Sequence, residues 1–334
     1  MKTYLITGGL GFIGSNYIRK LISEDEQCKI INLDKMTYAG NPANLNDLKN
    51  FNNYVFIHGD ICDKQIVKEI FTKYSPNIII NFAAETHVDR SIDNPEEFIS
   101  TDIFGVYNLL DNAYKHNIEL FIQISTDEVY GSIESGSFDE QDNLLPSSPY
   151  SASKCGGDRL AYSYFKTYDL PVIITRASNN FGPYQYPEKL IPLFVTNAIN
   201  DSKLPVYGNG LNVRDWLYVD DHCDAINFLI KKGRLGEVYN IGGNNEFSNL
   251  DITYRILDQL NKSRKLIEFV DDRKGHDLRY SLDCSKIHKL GWSPNNSFEN
   301  ALKKSIQWYF ENKSWWNPIK SGVFKKYYKK QYKI

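Results

Sequence analysis

The chain has 334 residues, 42% hydrophobic and 24% charged, enough for a large core in one or two domains. Its formal net charge is −2, so a global attraction to nucleic acid or to an anionic membrane is not expected. The five cysteines contain no CxxC and the six histidines no HxxxH or HExxH, which speaks for reduced thiols in a cytoplasmic protein and against a metal site.

The opening MKTYLITGG enters a strand-like run at once and leaves no room for a signal peptide. All apolar runs are far shorter than a membrane span. Residues 3–7, 29–33, 54–58, 77–84 and 120–125 are short, β-branched and almost continuously apolar, as strands buried on both faces are. Residues 171–175 resemble a sixth. Helical patterns run from Gly11 to about Ile22, from about Pro95 to His116, and from about Tyr150 to Tyr168. Asn94 before Pro95, Glu96 and Glu97 predicts a capped helix start. The alternation predicts an α/β fold with a Rossmann-type doubly wound parallel sheet.

After residue 180 prolines at 183, 187, 192 and 205 interrupt the pattern. Residues 207–216 read as a loop, and helices are expected near 220–231 and 249–260. The expected division is a dinucleotide-binding domain over 1–180, to which the chain returns at about 217–246. A smaller C-terminal α/β substrate domain then takes 181–216 and 247–334. The last ten residues, KKYYKKQYKI, read as a solvated surface tail.

The glycines come directly after the first strand. Gly8, Gly11 and Gly14 fit GxxGxxG, and Gly9, Gly11 and Gly14 fit GxGxxG. Small residues let the chain turn tightly and let its backbone approach a pyrophosphate at the N-terminus of the next helix. Asp34 ends the second strand 20 residues after Gly14, the spacing of an acid that binds the adenosine ribose diol. A carboxylate there repels a 2′-phosphate, so NAD is favoured over NADP. Asp60 and Ile61 end the third strand, where Asp60 is either an adenine contact or a cap for the helix starting near Asp63. Ala83 and Ala84 leave space for a dinucleotide over the sheet edge.

Tyr150 and Lys154 lie four residues apart, on one helix face. An ammonium near a phenol stabilises the phenolate, which can take a proton from a sugar hydroxyl while hydride leaves the carbon. Together these features resemble the extended short-chain dehydrogenase/reductase superfamily. Ser125 and Thr126 are candidates for its hydroxyl residue, and Thr126 aligns with that position.

Residues 83–92 (AAETHVDRSI), 125–131 (STDEVYG), 178–192, 204–222, 239–249 and 272–280 narrow the likeness. Over about residues 1–310 the chain resembles the dTDP-glucose 4,6-dehydratase family. That resemblance implies oxidation at C4 of the sugar, loss of water across C5 and C6, and return of hydride to C6. Tyr150 is then the base for C4 and Lys154 tunes it. Thr126 holds the C4 oxygen, Asp127 is the acid for the C6 hydroxyl, and Glu128 is the base for the C5 proton. Asp127 must be protonated when substrate binds, so burial should raise its pKa.

By the same resemblance Phe12, Ile13, Lys35, Thr37 and Ser178 join the glycines, Asp34, Asp60, Ile61, Ala83 and Ala84 around NAD. His87, Asn179, Lys189, Leu190, Pro205, Tyr207, Arg214, Asn249, Arg273, His276 and Tyr280 face dTDP-glucose, with the arginines at the diphosphate. The family also implies a homodimer through a four-helix bundle. One departure stands at Asp102, where the family carries asparagine.

A nucleotide-sugar 4-epimerase shares the glycine loop, Asp34, Tyr150 and Lys154, but removes no C5 proton. A UDP-glucuronate decarboxylase must house a C5 carboxylate. A non-catalytic NAD sensor needs none of the acid–base set. The Asp127–Glu128 pair argues against all three. A UDP-glucose 4,6-dehydratase has the same catalytic set, and the base preference stays open.

Overall fold

The computed structural model describes residues 1–48, 51–272 and 277–332. Its first half runs β1 (Thr3–Thr7), α1 (Phe12–Glu24), β2 (Lys29–Asp34), β3 (Tyr54–His58), α2 (Lys64–Tyr74), β4 (Ile78–Asn81), α3 (Val88–Asp93), α4 (Pro95–Ile99), α5 (Val106–Lys115), β5 (Leu120–Thr126), α6 (Pro149–Tyr168) and β6 (Val172–Ala177). The second half runs β7 (Asn179–Phe181), α7 (Leu190–Ile199), β8 (Leu204–Tyr207), β9 (Val213–Tyr218), α8 (Val219–Lys232), β10 (Val238–Ile241), β11 (Glu246–Ser248), α9 (Asn249–Gln259), β12 (Ile267–Val270), α10 (Ser285–Leu290), α11 (Phe298–Glu311), α12 (Lys313–Ile319) and α13 (Gly322–Tyr332).

Among the described residues a seven-stranded sheet has the order β10-β6-β5-β4-β1-β2-β3. Every pair in it is parallel. The order reverses between β1 and β4, and in such a sheet the crevice beyond the carboxyl ends at that point binds ligands. β1, β4, β5, β6 and β10 are buried along their whole length. A polar ladder crosses this apolar slab: Thr7 Oγ1 donates to Asn81 Oδ1 at 2.6 Å, and Asn81 Nδ2 donates to Gln123 Oε1 at 2.9 Å. Such buried pairs are satisfied only in one strand register.

A second core gathers Phe181, Phe194, Trp216, Ile256, Leu302 and Trp316 from β7, α7, β9, α9, α11 and α12. Around it lie a three-stranded sheet, β11-β9-β7, and the β12-β8 pair. No helix of the described residues is long and apolar enough to cross a membrane.

Five expectations are corrected. β3 is an edge strand with Phe56 40% exposed, so it is not buried on both faces. Asn94 stands at the start of α4, but its side chain makes no capping hydrogen bond. The stretch from Pro95 to Lys115 is interrupted by a π-helical turn over Ser100–Gly105. Residues 207–216 are not one loop: Tyr207 ends β8, and β9 begins at Val213. The glycines at 208 and 210 take positive φ there, so only the turn between the strands is irregular.

The fifth correction concerns the C-terminus, which is no solvated tail. Phe324 is 6% exposed in α13, and Tyr328 and Tyr332 pack against the second core. These three aromatics recur every fourth residue, a helical stripe obscured by the intervening lysines.

A buried ion pair ties the catalytic elements together. Arg176 of β6 donates from Nε to Asp158 Oδ2 of α6 at 2.9 Å, and from Nη1 to the Tyr130 hydroxyl at 2.7 Å. Both charged side chains are at most 1% exposed. Breaking such a pair leaves an uncompensated charge, so the geometry of α6 and of the chain after β5 is strongly enforced.

Candidate active site

Two adjoining cavities lie at the carboxyl edge of the large sheet. The first is lined by Gly8, Gly11, Phe12, Ile13 and Gly14 after β1, and by Asp34, Lys35 and Thr37 after β2. Asp60, Ile61, Ala83 and Ala84 add the ends of β3 and β4, and Tyr150 and Lys154 come from α6. Of the residues expected around a cofactor, Ser178 alone is not in this wall, and it is buried. The cradle has no room for side chains: a Cβ on Gly8, whose φ is +67°, would stand 2.7 Å from the Ala83 nitrogen. One on Gly14 would collide with the Gly8 carbonyl oxygen.

Asp34 is held by the backbone, accepting from Leu10 N at 2.9 Å and from Met36 N at 2.7 Å. Asp60 does not cap α2. Asp63 does so, accepting from Gln65 N and Ile66 N. Asp60 instead pairs with Lys35 at 2.9 Å and accepts from Cys62 N, at the cavity wall.

The second cavity is lined by His87, Glu128, Asn179, Lys189, Leu190, Pro205, Tyr207, Arg214, Asn249 and Tyr280. Arg273 and His276 lie outside the described residues. Glu188 and Lys189 belong to both walls. Arg214 is aimed by backbone carbonyls, donating to Val213 O at 2.7 Å and to Asp277 O at 3.0 Å, with its guanidinium 4.3 Å from the Tyr280 ring centroid. His87 has a φ of +87°, a strained value for a residue with a Cβ.

Between the cavities, β5 ends in a turn that separates the two carboxylates. Thr126 Oγ1 lies 3.1 Å from Asp127 Oδ1, to which it donates, and accepts from Glu128 N at 3.3 Å. That side-chain cap opens a 3₁₀ turn over Asp127–Tyr130, with Val129 and Tyr130 buried as its anchor. Asp127 therefore turns inward and is 4% exposed, while Glu128 lines the second cavity. Thr126 and Asp127 are in neither wall, and both are buried. Burial first, and then the charge of Glu128, push Asp127 up to about 8. Its Oδ2 is buried without a hydrogen-bond partner among the described residues, as are Ser125 Oγ and Asn179 Oδ1. Orphaned polar atoms around a cavity are groups that a polar ligand can satisfy.

Tyr150 departs from the expected tuning. Burial raises its phenol well above the usual value, and Glu128, Asp102 and Asp127 raise it further, while the Thr126 hydrogen bond lowers it. Lys154 is also buried, which lowers its ammonium, and it donates to Ile124 O at 2.8 Å. The ammonium is thus tied to the β5 backbone, one turn from the phenol. Asp102 lies in the π-helical turn, 1% exposed, and accepts from Ser153 Oγ at 2.7 Å. Burial lifts it to about 6, with the Lys154 charge opposing. The departure at 102 thus places a carboxylate where it acts on the active-site lysine.

The sequence reading missed Glu85 in the first wall and Asp89, Phe194, Trp216 and Tyr332 in the second. Glu85 is buried and pushed up to about 7, by burial first and then by Glu97. No group of three His, Cys, Asp or Glu side chains suited to a metal ion occurs among the described residues.

A model of the family described as GDP-mannose 4,6 dehydratase matches residues 5–305. A dTDP-glucose 4,6-dehydratase of Escherichia coli is 47% identical, over 96% of this chain and 97% of that one. The chain belongs to the dTDP-glucose 4,6-dehydratase family. The low-salt glycan biosynthesis protein Agl12 of Haloferax volcanii is 50% identical over 91% of this chain and 97% of its own. The crystal structure of DesIV, the dTDP-glucose 4,6-dehydratase of Streptomyces venezuelae with NAD and TYD bound, has a TM-score of 0.92 at 46% identity. It is matched over 99% of its length by 95% of this chain. Tyr150 lines the first cavity and Glu128 the second.

Proposed function

We propose that this chain converts dTDP-glucose to dTDP-4-keto-6-deoxy-glucose and water. The observation that carries the reading is the split of Asp127 and Glu128. One carboxyl is buried and pushed up to about 8, and its neighbour faces the substrate cavity. A 4-epimerase has no use for that pair.

The first cavity fits NAD: side chains are excluded from the glycine cradle, and Asp34 stands where a ribose diol is bound and a 2′-phosphate repelled. When bound, NAD supplies the two-electron acceptor for C4 and the donor for C6, so it ends as it began. Tyr150 takes the proton of the C4 hydroxyl, Thr126 holds that oxygen, and the Lys154 side chain lies one turn away on α6. The 4-keto group acidifies C5, Glu128 removes its proton, Asp127 protonates the departing C6 hydroxyl, and C5 is reprotonated when C6 receives hydride. Asn179 and Arg214 grip the diphosphate, with Arg273 joining them. Lys189, Asn249, His276 and Tyr280 hold the nucleotide, and His87 faces the sugar.

The division into a dinucleotide domain over 1–180, with a return at 217–246, and a substrate domain is part of this proposal. It is supported by the pairing of β10 with β6 and by the separate second core. A homodimer is proposed through α6 and the helical stretch from 95 to 115. Ile99, Phe104, Tyr107, Tyr114 and Tyr168 are exposed there by 40–62%. Sedimentation at micromolar concentration is expected to give twice the chain mass, and a monomer mass rejects the bundle. A cytoplasmic location fits the five free cysteines, and disulfides in protein taken from its natural source would speak against it.

The test of function is incubation with dTDP-glucose or UDP-glucose without added reductant. Loss of one water from the sugar nucleotide is expected, fastest with dTDP-glucose. Isomerisation at unchanged mass sinks the dehydratase reading, and faster turnover of UDP-glucose reassigns the base.

A further inference from the structure

The last helix of the chain reaches the substrate cavity. α13 is anchored by buried Phe324 and by Tyr328, whose hydroxyl accepts from Asn197 Nδ2 at 3.1 Å. One turn beyond Tyr328, Tyr332 lines the cavity. Its ring centroid is 5.5 Å from that of Tyr207. Gln331 Nε2 donates to the Tyr207 hydroxyl at 2.9 Å, and that hydroxyl donates to Asp89 Oδ2 at 3.4 Å. Tyr207 is thus clamped between the end of the chain and α3.

The wall is chemically divided. α7 and β8 supply Leu190, Phe194, Pro205 and Val206 beside the two tyrosine rings. Glu128 and Arg214, with Asp89, Glu188 and Lys189, give the wall charge. A nucleotide sugar carries charge at its diphosphate and hydroxyls on its sugar, and only its base presents apolar ring faces. Such a face is stabilised against aromatic side chains, whichever base it belongs to.

We propose that α13 is part of the substrate site, and that Tyr332 adds a second ring, beside the substrate-facing Tyr207, to the wall on which the nucleobase stacks. This rests on the nucleotide-sugar reading above. Tyr332 acts on capture of the substrate and does not touch the reacting carbons. Removing it therefore weakens ground state and transition state alike, which raises KM and leaves kcat in place.

The test compares Tyr332→Ala and Tyr332→Phe with the unaltered full-length chain, using dTDP-glucose turnover and inhibition by dTDP. Tyr332→Ala is expected to raise KM for dTDP-glucose and Ki for dTDP about tenfold, with kcat nearly unchanged. Tyr332→Phe keeps the ring face and is expected to behave almost as the unaltered chain. Gln331→Leu removes one hydrogen bond from the Tyr207 hydroxyl and is expected to raise KM less. Phe324 and Tyr328 stay in all three variants, so α13 keeps its anchor, and an unchanged melting temperature confirms it. Unchanged KM and Ki in Tyr332→Ala overturn the proposal. A lowered KM also overturns it, because the side chain would then be filling the place of the base. If the unaltered chain leaves dTDP-glucose intact, the functional reading falls, while dTDP affinities of the variants still decide whether the wall exists.

Discussion

Glu128→Gln is expected to leave an enzyme that oxidises dTDP-glucose at C4 and then stalls. Loss of water and uptake of solvent deuterium at C5 should fall by about 10²- to 10⁴-fold, the usual worth of a positioned base. The reason lies in the turn after β5. Two adjacent carboxylates compete for one proton, and burial decides which holds it. Asp127 is inside and pushed up to about 8, by burial and by the Glu128 charge, while Glu128 lines the cavity wall. Glutamine preserves the size and polarity of that side chain but cannot accept the proton. Tyr150, Lys154 and Thr126 are untouched, so C4 oxidation proceeds. A rapid quench with borodeuteride, followed by mass analysis, should reveal the oxidised but undehydrated sugar. Water loss at the original rate would show that another group removes the C5 proton.

Six of the seven strands were legible, most of them because both of their faces are buried, while β10 was not foreseen. A run such as Ile78–Asn81 has no polar side to confuse the pattern. β8 and β9 were harder to see, since glycine and asparagine between them gave the whole stretch a loop-like composition. The glycine cradle and Asp34 could be read from spacing, because a dinucleotide imposes fixed distances along β1, α1 and β2. The substrate wall could not. Asn179, Arg214 and Asn249 come from separate elements, and only the family likeness joined them. α13 shows the opposite failure. Its aromatic stripe was present at helical spacing, but five lysines in the last ten residues made it look solvated. Adjacency of Asp127 and Glu128 was plain in the sequence, whereas their opposite directions depend on the Thr126 cap.

Asp127→Asn should separate activity from stability. In the native enzyme the acid must carry its proton, so dehydration is expected to decline as pH rises through about 8. Asparagine has no proton to give, and water loss should drop about a hundredfold or more with C4 oxidation retained. Stability should move the other way. The folded-state pKa lies above the unfolded value of about 3.9, so between the two the native state binds more protons than the unfolded chain. Native stability is then lost as pH climbs through that window. Asparagine is always neutral and escapes the loss. Its stability advantage should be near zero at pH 4, grow to a few kcal/mol by pH 7, and level off above about 8. The apparent midpoint belongs to the coupled Asp127–Glu128 pair. Chemical denaturation of both proteins at pH 5 and pH 8 measures the difference. An advantage that does not change with pH would mean that Asp127 is ionised throughout, and the enzyme would have to find its acid elsewhere.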